Sequence, residues 1–423
     1  MAPSPVPALQ FSAAERDFLL RLQADALQYF IDNQTPSGLI LDRQGNFGPR
    51  RASGLCSTSA TGMGLIALAM ASAGPHRMLT RGDAVARVAH ALRTGLEELP
   101  HTDGILPHFI DESTGAVVGF DARSTIDTAW FVAGSLWAAA FLADDGLARQ
   151  ADRFYERIDW RAWTSHNMLL HHGAYRDGRK ISCCWDRLNG ETIFLYVLAA
   201  GAREEVAWPA IGWSALELFR GELAGLTFAS ADLGLFASQY GLDLLHLRNW
   251  LLPEGVDLRY DAGLAAEANA HVCRQAADRF ATYRHLWGIS AGDGPGISTD
   301  GHDVYQCFSP AQPLDGTAHI TTTLASLEHR PELVWQNLNT ADHLRGPSPR
   351  GSYGYSNVNL DRNWVSKDMV GIDLGAAVLA LSNILMEDQA RTVFHSVPAV
   401  RRGIQRLGWP PAPAAMDSTR AAA

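Results

Sequence analysis

Basic residues are in deficit: 35 lysines and arginines stand against 45 aspartates and glutamates, a formal net charge of -10 over 423 residues. Nucleic acid and anionic membrane surfaces both select clustered positive charge, so neither is an expected partner. Cysteine is sparse as well. Cys56, Cys183, Cys184, Cys273 and Cys307 form an odd set without CxxC spacing, which argues against a disulfide framework or a zinc site and makes buried thiols the expectation. His101, His108, His171, His172 and His319 are scattered without HExxH-type spacing, so no metal centre is expected. No apolar run approaches the roughly 20 residues of a membrane-spanning helix. The opening MAPSPVPALQFSAAERDF lacks a basic segment followed by an apolar one, so no export signal is legible. The expected compartment is the cytoplasm, or the periplasm or exterior where a leader has been removed.

What is present is a large apolar fraction, 47%, enough for a sizeable core in one domain or two. Apolar residues recur at helical spacing over 13–31, 58–73, 80–98, 124–143, 189–201, 265–285, 318–328 and 368–387, whereas strand-like alternation is scarce. Capping residues open several of these segments: Ser124 or Thr125 before IDTAWFVAGSLWAAAFL, and Thr80 before RGDAVARVAHAL. Ala133, Gly134, Ala138 and Ala139 permit close helix packing. Between the helices run long loops, 100–123, 286–316 and 345–366, rich in Gly, Pro, Asp, His and aromatics, and loops of that length in a domain are usually functional. No fixed-period repeat is present. The reading is all-α: a single helical (α/α) toroid over 12–409, flanked by flexible tails at 1–11 and 410–423, whose long loops converge into a cleft on one face.

Acids at helix starts carry the chemistry. WDRLNGETIFLYVLAAGA places Glu191 in the first turn of an apolar helix after Trp185, Asp186 and Arg187. Desolvation there raises a carboxyl pKa toward that of a general acid; the plainer alternative is an anion held by the helix dipole. Asp127 in STIDTAWF occupies another first turn beside Trp130, with Asp121 six residues earlier; the plainer alternative for both is a surface acid stabilised by the helix dipole. Cleavage of a glycosidic bond needs two such acids on opposite sides of the bond. The segment LWGISAGDGPGISTDGHDVYQCFSP gathers Trp287, Asp293, His302, Asp303, Tyr305 and Phe308. It matches neither GxxxxGK[ST] nor a strand-borne GxGxxG, so nucleotide binding is disfavoured, and rings with Asp and His suit a sugar better; the plainer alternative is that its glycines only make tight turns. Trp130, Trp185, Trp287, Tyr305, Tyr355 and Trp364 are the expected ring platforms.

In order along the chain, STIDTAWFVAGSLWAA, ETIFLYVLAAGA, SQYGLDLLHLR, LWGISAGDGPG, LDGTAHITTTLASL, VGIDLGAAVLALSNIL and RRGIQRLGW resemble the glycoamylase-like family. That family includes the endo-β-1,2-glucanases of glycoside hydrolase family 144 and the glucan-processing domain of cyclic β-1,2-glucan synthases. The likeness covers roughly 30–408, and WGISAGDGPG is its most specific piece. It implies an (α/α)6 barrel, a β-1,2-glucan substrate and no cofactor. By the same resemblance Glu191 matches the acid opening an EAxxLYxLALGS-like helix, and Asp127 the acid of an STxDTA-like segment. Gln239, Tyr240 and Arg248 match part of a HQYSHxWIDFR-like stretch, in which Ser238 and Leu242 replace the two histidines. Trp287, Asp293, Gly294, Pro295, Asp315, Gly316 and Thr317 carry over directly. Leu374 and Ala376 replace a Gln-Gly-Pro turn, and Asn383 replaces a usual glutamate.

The resulting expectation is an endo-acting β-1,2-glucan hydrolase with Glu191 as acid and Asp127, or failing that Asp121, as its partner. Its substrate contacts come from Trp130, Trp185, Arg187, Gln239, Tyr240, Trp287, Asp293, Tyr305, Tyr355 and Trp364. Competing readings are an exo-acting or transglycosylating relative and a non-catalytic sugar-binding toroid.

Overall fold

Capping sets where the helices begin. In a computed structural model of the chain, residues 9–409 are described, except 52–53, 219, 247–251, 253–254, 297–302, 307–312, 345 and 347. Arg248, His302, Cys307, Phe308, residues 1–8 and the C-terminal tail 410–423 therefore lie outside the described residues. Twelve α-helices appear among the described residues: α1 (Ala13–Asp32), α2 (Thr58–Met70), α3 (Arg81–Glu97), α4 (Thr125–Leu142), α5 (Asp145–Glu156), α6 (Gly190–Gly201), α7 (Leu258–Gln275), α8 (Ile320–Thr323), α9 (Pro331–Asp342), α10 (Gly371–Leu385), α11 (Gln389–Ser396) and α12 (Pro398–Arg406). Ser12 and Thr80 close full capping boxes with Glu15 and Asp83, while Ser57, Ser124 and Asn189 cap α2, α4 and α6 through their side chains.

Two kinds of helix result. α2, α4, α6 and α10 are apolar on nearly every side and buried along nearly their whole length. In α1, α3, α5 and α7 one face is buried and the other is wet, as a helix at the outside of a packed layer must be. α2 and α4 cross in backbone contact. A Cβ on Gly134 would lie 1.9 Å from the Gly62 carbonyl oxygen, and one on Gly62 2.2 Å from that of Trp130, so both positions require glycine.

The helices differ from the sequence reading where local chemistry competes with the periodic signal. The stretch 265–285 is helical only to Gln275, after which Thr282–Arg284 forms a separate short turn. The stretch 318–328 breaks into α8 and a tighter turn at Leu324–Ser326. There Thr321 and Thr323 donate their hydroxyls to the carbonyls of Tyr355 and Ile320, offering the backbone alternatives to a continuous helix. The polar, short α5, α9, α11 and α12 are added; Pro331 and Pro398 begin two of them, a favoured place for proline. Phe11, assigned by sequence to the tail, packs against Trp335 with ring centroids 6.1 Å apart. The thiol expectation also needs correction: Cys56 and Cys273 are buried, but Cys184 is half-buried and Cys183 exposed, because both sit in the loop before α6.

The long loops hold paired strands of two to four residues, the largest sheet having three: Leu55–Ser57, Phe109–Asp111 and Val117–Val118. The strand Arg43–Gly45 pairs antiparallel with Asp368–Val370, setting Arg43 opposite Val370, the residue before α10. The strand Gly292–Gly294 pairs with Val304–Gln306, and Asn357 ties the loop 345–366 to it by donating to the Asp293 carbonyl.

Candidate active site

Helix N-termini assemble the site. The segment before α4 is pinned between two helix starts: Thr58 of α2 donates its amide to the His108 carbonyl (3.0 Å) and its hydroxyl to that of Pro107 (2.6 Å). The Leu106 amide donates to the hydroxyl of Thr128 on α4 (2.9 Å). His108 is thereby delivered between two acids. Its Nδ1 stands 2.5 Å from Asp121 Oδ2 and its Nε2 3.6 Å from Asp127 Oδ1. Burial works against charge on this ring, but the Asp127 carboxylate and the Asp121 hydrogen bond outweigh it and raise its pKa to about 9. Near neutral pH, His108 is therefore an imidazolium bracketed by two carboxylates.

Glu191, in the first turn of α6, faces the same network. Burial is the main influence on it and raises its pKa; the nearby Asp127 charge adds to the rise, while the Trp130 indole N–H, donating to Oε1 at 2.8 Å, and the His108 charge oppose it. The outcome is about 7, so near neutral pH a substantial share of Glu191 carries a proton that it can release. Its position depends on Gly190, where a Cβ would lie 2.1 Å from the Tyr240 carbonyl oxygen.

A second acidic group lies alongside. Asp373, in the first turn of α10, accepts from the Tyr240 hydroxyl and is raised by burial to about 7. Asp293 is fully buried and bonded to Arg43 at 2.8 Å; burial raises it to about 6 against the pull of that guanidinium. Arg43 also contacts Asp42 (3.2 Å), and Arg51 pairs with Asp368. A cavity of about 550 Å³ opens here, lined by Asp42, Arg43, Arg51, His108, Phe109, Asp303 and Tyr305 among others.

The structure sorts the sequence candidates. Asp121, Asp127, Glu191, Tyr240 and Asp293 belong to one connected neighbourhood, with Tyr240 and Asp293 buried beneath it as supports for Asp373 and Arg43. Tyr305 is 41% exposed and stands at the cavity. Trp185 is half-buried, donates to the hydroxyl of Thr125 at the start of α4 (2.9 Å) and stacks on His172 at 4.0 Å. Trp364 donates toward Asp303 (3.4 Å). Arg187 is exposed and near Asp186 (4.0 Å).

Three expected ring platforms are instead core. Trp130 is 1%, Trp287 7% and Tyr355 1% exposed, and Trp287 spends its N–H on the Leu333 carbonyl. Their rings are closed off by neighbouring side chains, Phe194 in the case of Trp130 and the Arg350 guanidinium over Tyr355, so no sugar can stack on them. Gln239, 3% exposed and bonded to Ser326, also faces inward and not toward a substrate.

Residues that sequence reading passed over include Asp42, Arg43, Arg51, Phe109 and Asp373, and also His108, weighed only as a metal ligand. Asp373 carried the same signal as Asp127, an acid in the first turn of a wholly apolar helix. The turn holding Asp42 to Arg51 has no periodic neighbours to mark it.

These features meet known proteins at the level of family. The Glycoamylase (glucoamylase) family model matches residues 183–398, just over half of the chain, and the chain belongs to that family. It is similar, at 23% identity over 95% of its length, to the exo-β-1,2-glucooligosaccharide sophorohydrolase (non-reducing end) of Parabacteroides distasonis, and it spans 59% of that relative's length. An endo-β-1,2-glucanase from Chitinophaga pinensis, solved with sophorotriose and glucose, shares the fold with a TM-score of 0.79, 20% identity and coverage of 94% of this chain and 98% of that one. An endo-β-1,2-glucanase from Talaromyces funiculosus, solved with sophorose, aligns with a TM-score of 0.61, 13% identity and coverage of 94% and 90%.

Proposed function

We propose that the protein is a glycoside hydrolase that cleaves β-1,2-linked glucan within the chain, with Glu191 as the proton donor and Asp127, or in its place Asp121, acting on the other side of the scissile bond. The observation that carries this reading is the contrast in one neighbourhood: a carboxyl held near pKa 7 by burial beside a carboxylate pair bound to an imidazolium. A departing sugar oxygen needs a proton, and the partner acid must stay ionised to activate water or attack. Asp373, with Tyr240 bonded to it, is the further acid of the site. The scaffold is read as an (α/α)6 barrel, in which the all-round buried α2, α4, α6 and α10 belong to the inner ring. The glucan-acting relatives support the substrate class.

Exo action is the second reading, favoured by the likeness to the sophorohydrolase. Digestion of soluble glucans of different linkage, followed by reducing-end assay and product sizing, tests both. Endo cleavage gives a spread of oligosaccharides from linear β-1,2-glucan at early times. Release of a single short product from the outset assigns exo action, and absence of turnover on every β-1,2-glucan overturns the reading.

A further inference from the structure

Outside the cavity, one pair of rings is built into the wall that carries the site. Arg123–Ser124 pairs antiparallel with Gly173–Ala174, Arg123 opposite Ala174 and Ser124 opposite Gly173. Ser124 is the N-cap of α4, so the ladder that starts the helix of Asp127 runs outward to Phe120 on one chain segment and Tyr175 on the other. The two rings meet at 6.4 Å with a 43° tilt. Arg176 locks the segments together by donating to the carbonyls of Val117 (2.7 Å) and Gly119 (3.2 Å). Arg179 covers one face of Tyr175 from 5.4 Å, leaving Phe120 70% exposed.

The pair is continuous with the cleft. Phe120 directly precedes Asp121, the residue that grips His108. At Gly119 (φ +91°) a Cβ would lie 2.9 Å from Asp121 Oδ1 and 4.0 Å from Phe109. Phe109 in turn stacks on His108 at 3.7 Å and lines the cavity. A pyranose presents a C–H face to a ring and hydroxyls at its rim. Around the pair, the exposed Arg179–Asp177 ion pair (2.7 Å) offers donors and an acceptor to that rim.

We propose that Phe120 and Tyr175 form an outlying subsite that stacks on a glucosyl unit of the glucan chain at a distance from the bond cut at Glu191, so that long chains are bound in preference to short ones. The inference rests on the glucan-hydrolase reading. It explains what ring-rich segments do once Trp130, Trp287 and Tyr355 are assigned to the core.

The test compares kcat/KM for long linear β-1,2-glucan with kcat/KM for the shortest β-1,2-gluco-oligosaccharide that is cut, in the wild type and in Phe120→Ala, Tyr175→Ala and Phe120→Trp. The alanine variants are expected to lower the long-to-short ratio about three- to tenfold, the size of an aromatic stacking contribution, through KM for the polymer. Phe120→Trp, which keeps an aromatic face, should retain the wild-type ratio. Matching thermal melts establish that the surface changes leave the fold intact. A ratio unchanged by both alanine variants, or an equal loss on both lengths, overturns the subsite while the hydrolase reading stands. A wild type that cuts no β-1,2-glucan removes both.

Discussion

Trp130 donates its indole N–H to Oε1 of Glu191 across 2.8 Å. The bond stabilises the carboxylate and so opposes the burial that raises this group to about 7. Trp130→Phe keeps the packing against Phe194 and removes the donor, so the Glu191 pKa should rise further. A proton donor is active while protonated, and the alkaline limb of the kcat/KM profile should move to higher pH. A limb that stays in place or moves to lower pH contradicts Glu191 as the titrating acid.

Glu191→Gln preserves shape but carries no transferable proton. It should lower kcat by about 10²-fold or more, within the 10²- to 10⁴-fold typical of general acid–base catalysis, with KM little changed. Asp127→Asn should do the same if it is the partner, and Asp121→Asn should then have the smaller effect. Steady-state kinetics on the best glucan ranks the three; turnover near wild type in Glu191→Gln ends the assignment.

His108 links pH to stability. Its folded pKa of about 9 lies above the unfolded value of about 6.5, so the folded state holds the proton more tightly. The stabilisation is complete below about pH 6.5 and is lost as pH rises through about 9. Glu191 and Asp373, raised to about 7, lose their contribution at lower pH than His108 does. Thermal melts should therefore fall between pH 7 and 9 in the wild type and flatten in His108→Gln. Parallel curves for the two proteins would exclude the imidazolium.

Away from the cleft, Arg391 of α11 is 1% exposed and reaches Glu328 (2.7 Å), Asp388 (2.8 Å) and Asp243 (3.5 Å). Arg391→Met takes the guanidinium from buried Asp243 and leaves buried Glu328 to Arg259 (3.5 Å), and the expected loss is about 3–5 kcal/mol. Urea unfolding measures it; a change under 1 kcal/mol would mean that the acids simply take up protons.

How much was legible follows from what each signal encodes. The density of apolar residues marked α2, α4, α6 and α10, which are buried nearly all round; α5 and α12 were passed over because they are short and polar on average, although each has a well-separated apolar face. Glu191 and Asp127 were visible because an acid in the first turn of an apolar helix is locally odd. Asp42 and Arg43 were not, since only the pairing of Arg43–Gly45 with Asp368–Val370, over three hundred residues away, brings them to the cleft. Ring identity misled for Trp130, Trp287 and Tyr355: an aromatic side chain suits a core as well as a sugar, and neither the all-round apolar α4 that carries Trp130 nor the loops that carry the other two mark locally which it will be.

The glycine contact between α2 and α4 acts like a fulcrum. Gly134 lies seven residues from Asp127, about 10 Å along the helix axis. With backbone against backbone and no side chain between them as a compliant spacer, a tilt of about 1° about that point displaces Asp127 by only about 0.2 Å over that lever arm. Two residues without side chains thus set the mechanical tolerance of a carboxylate they never touch.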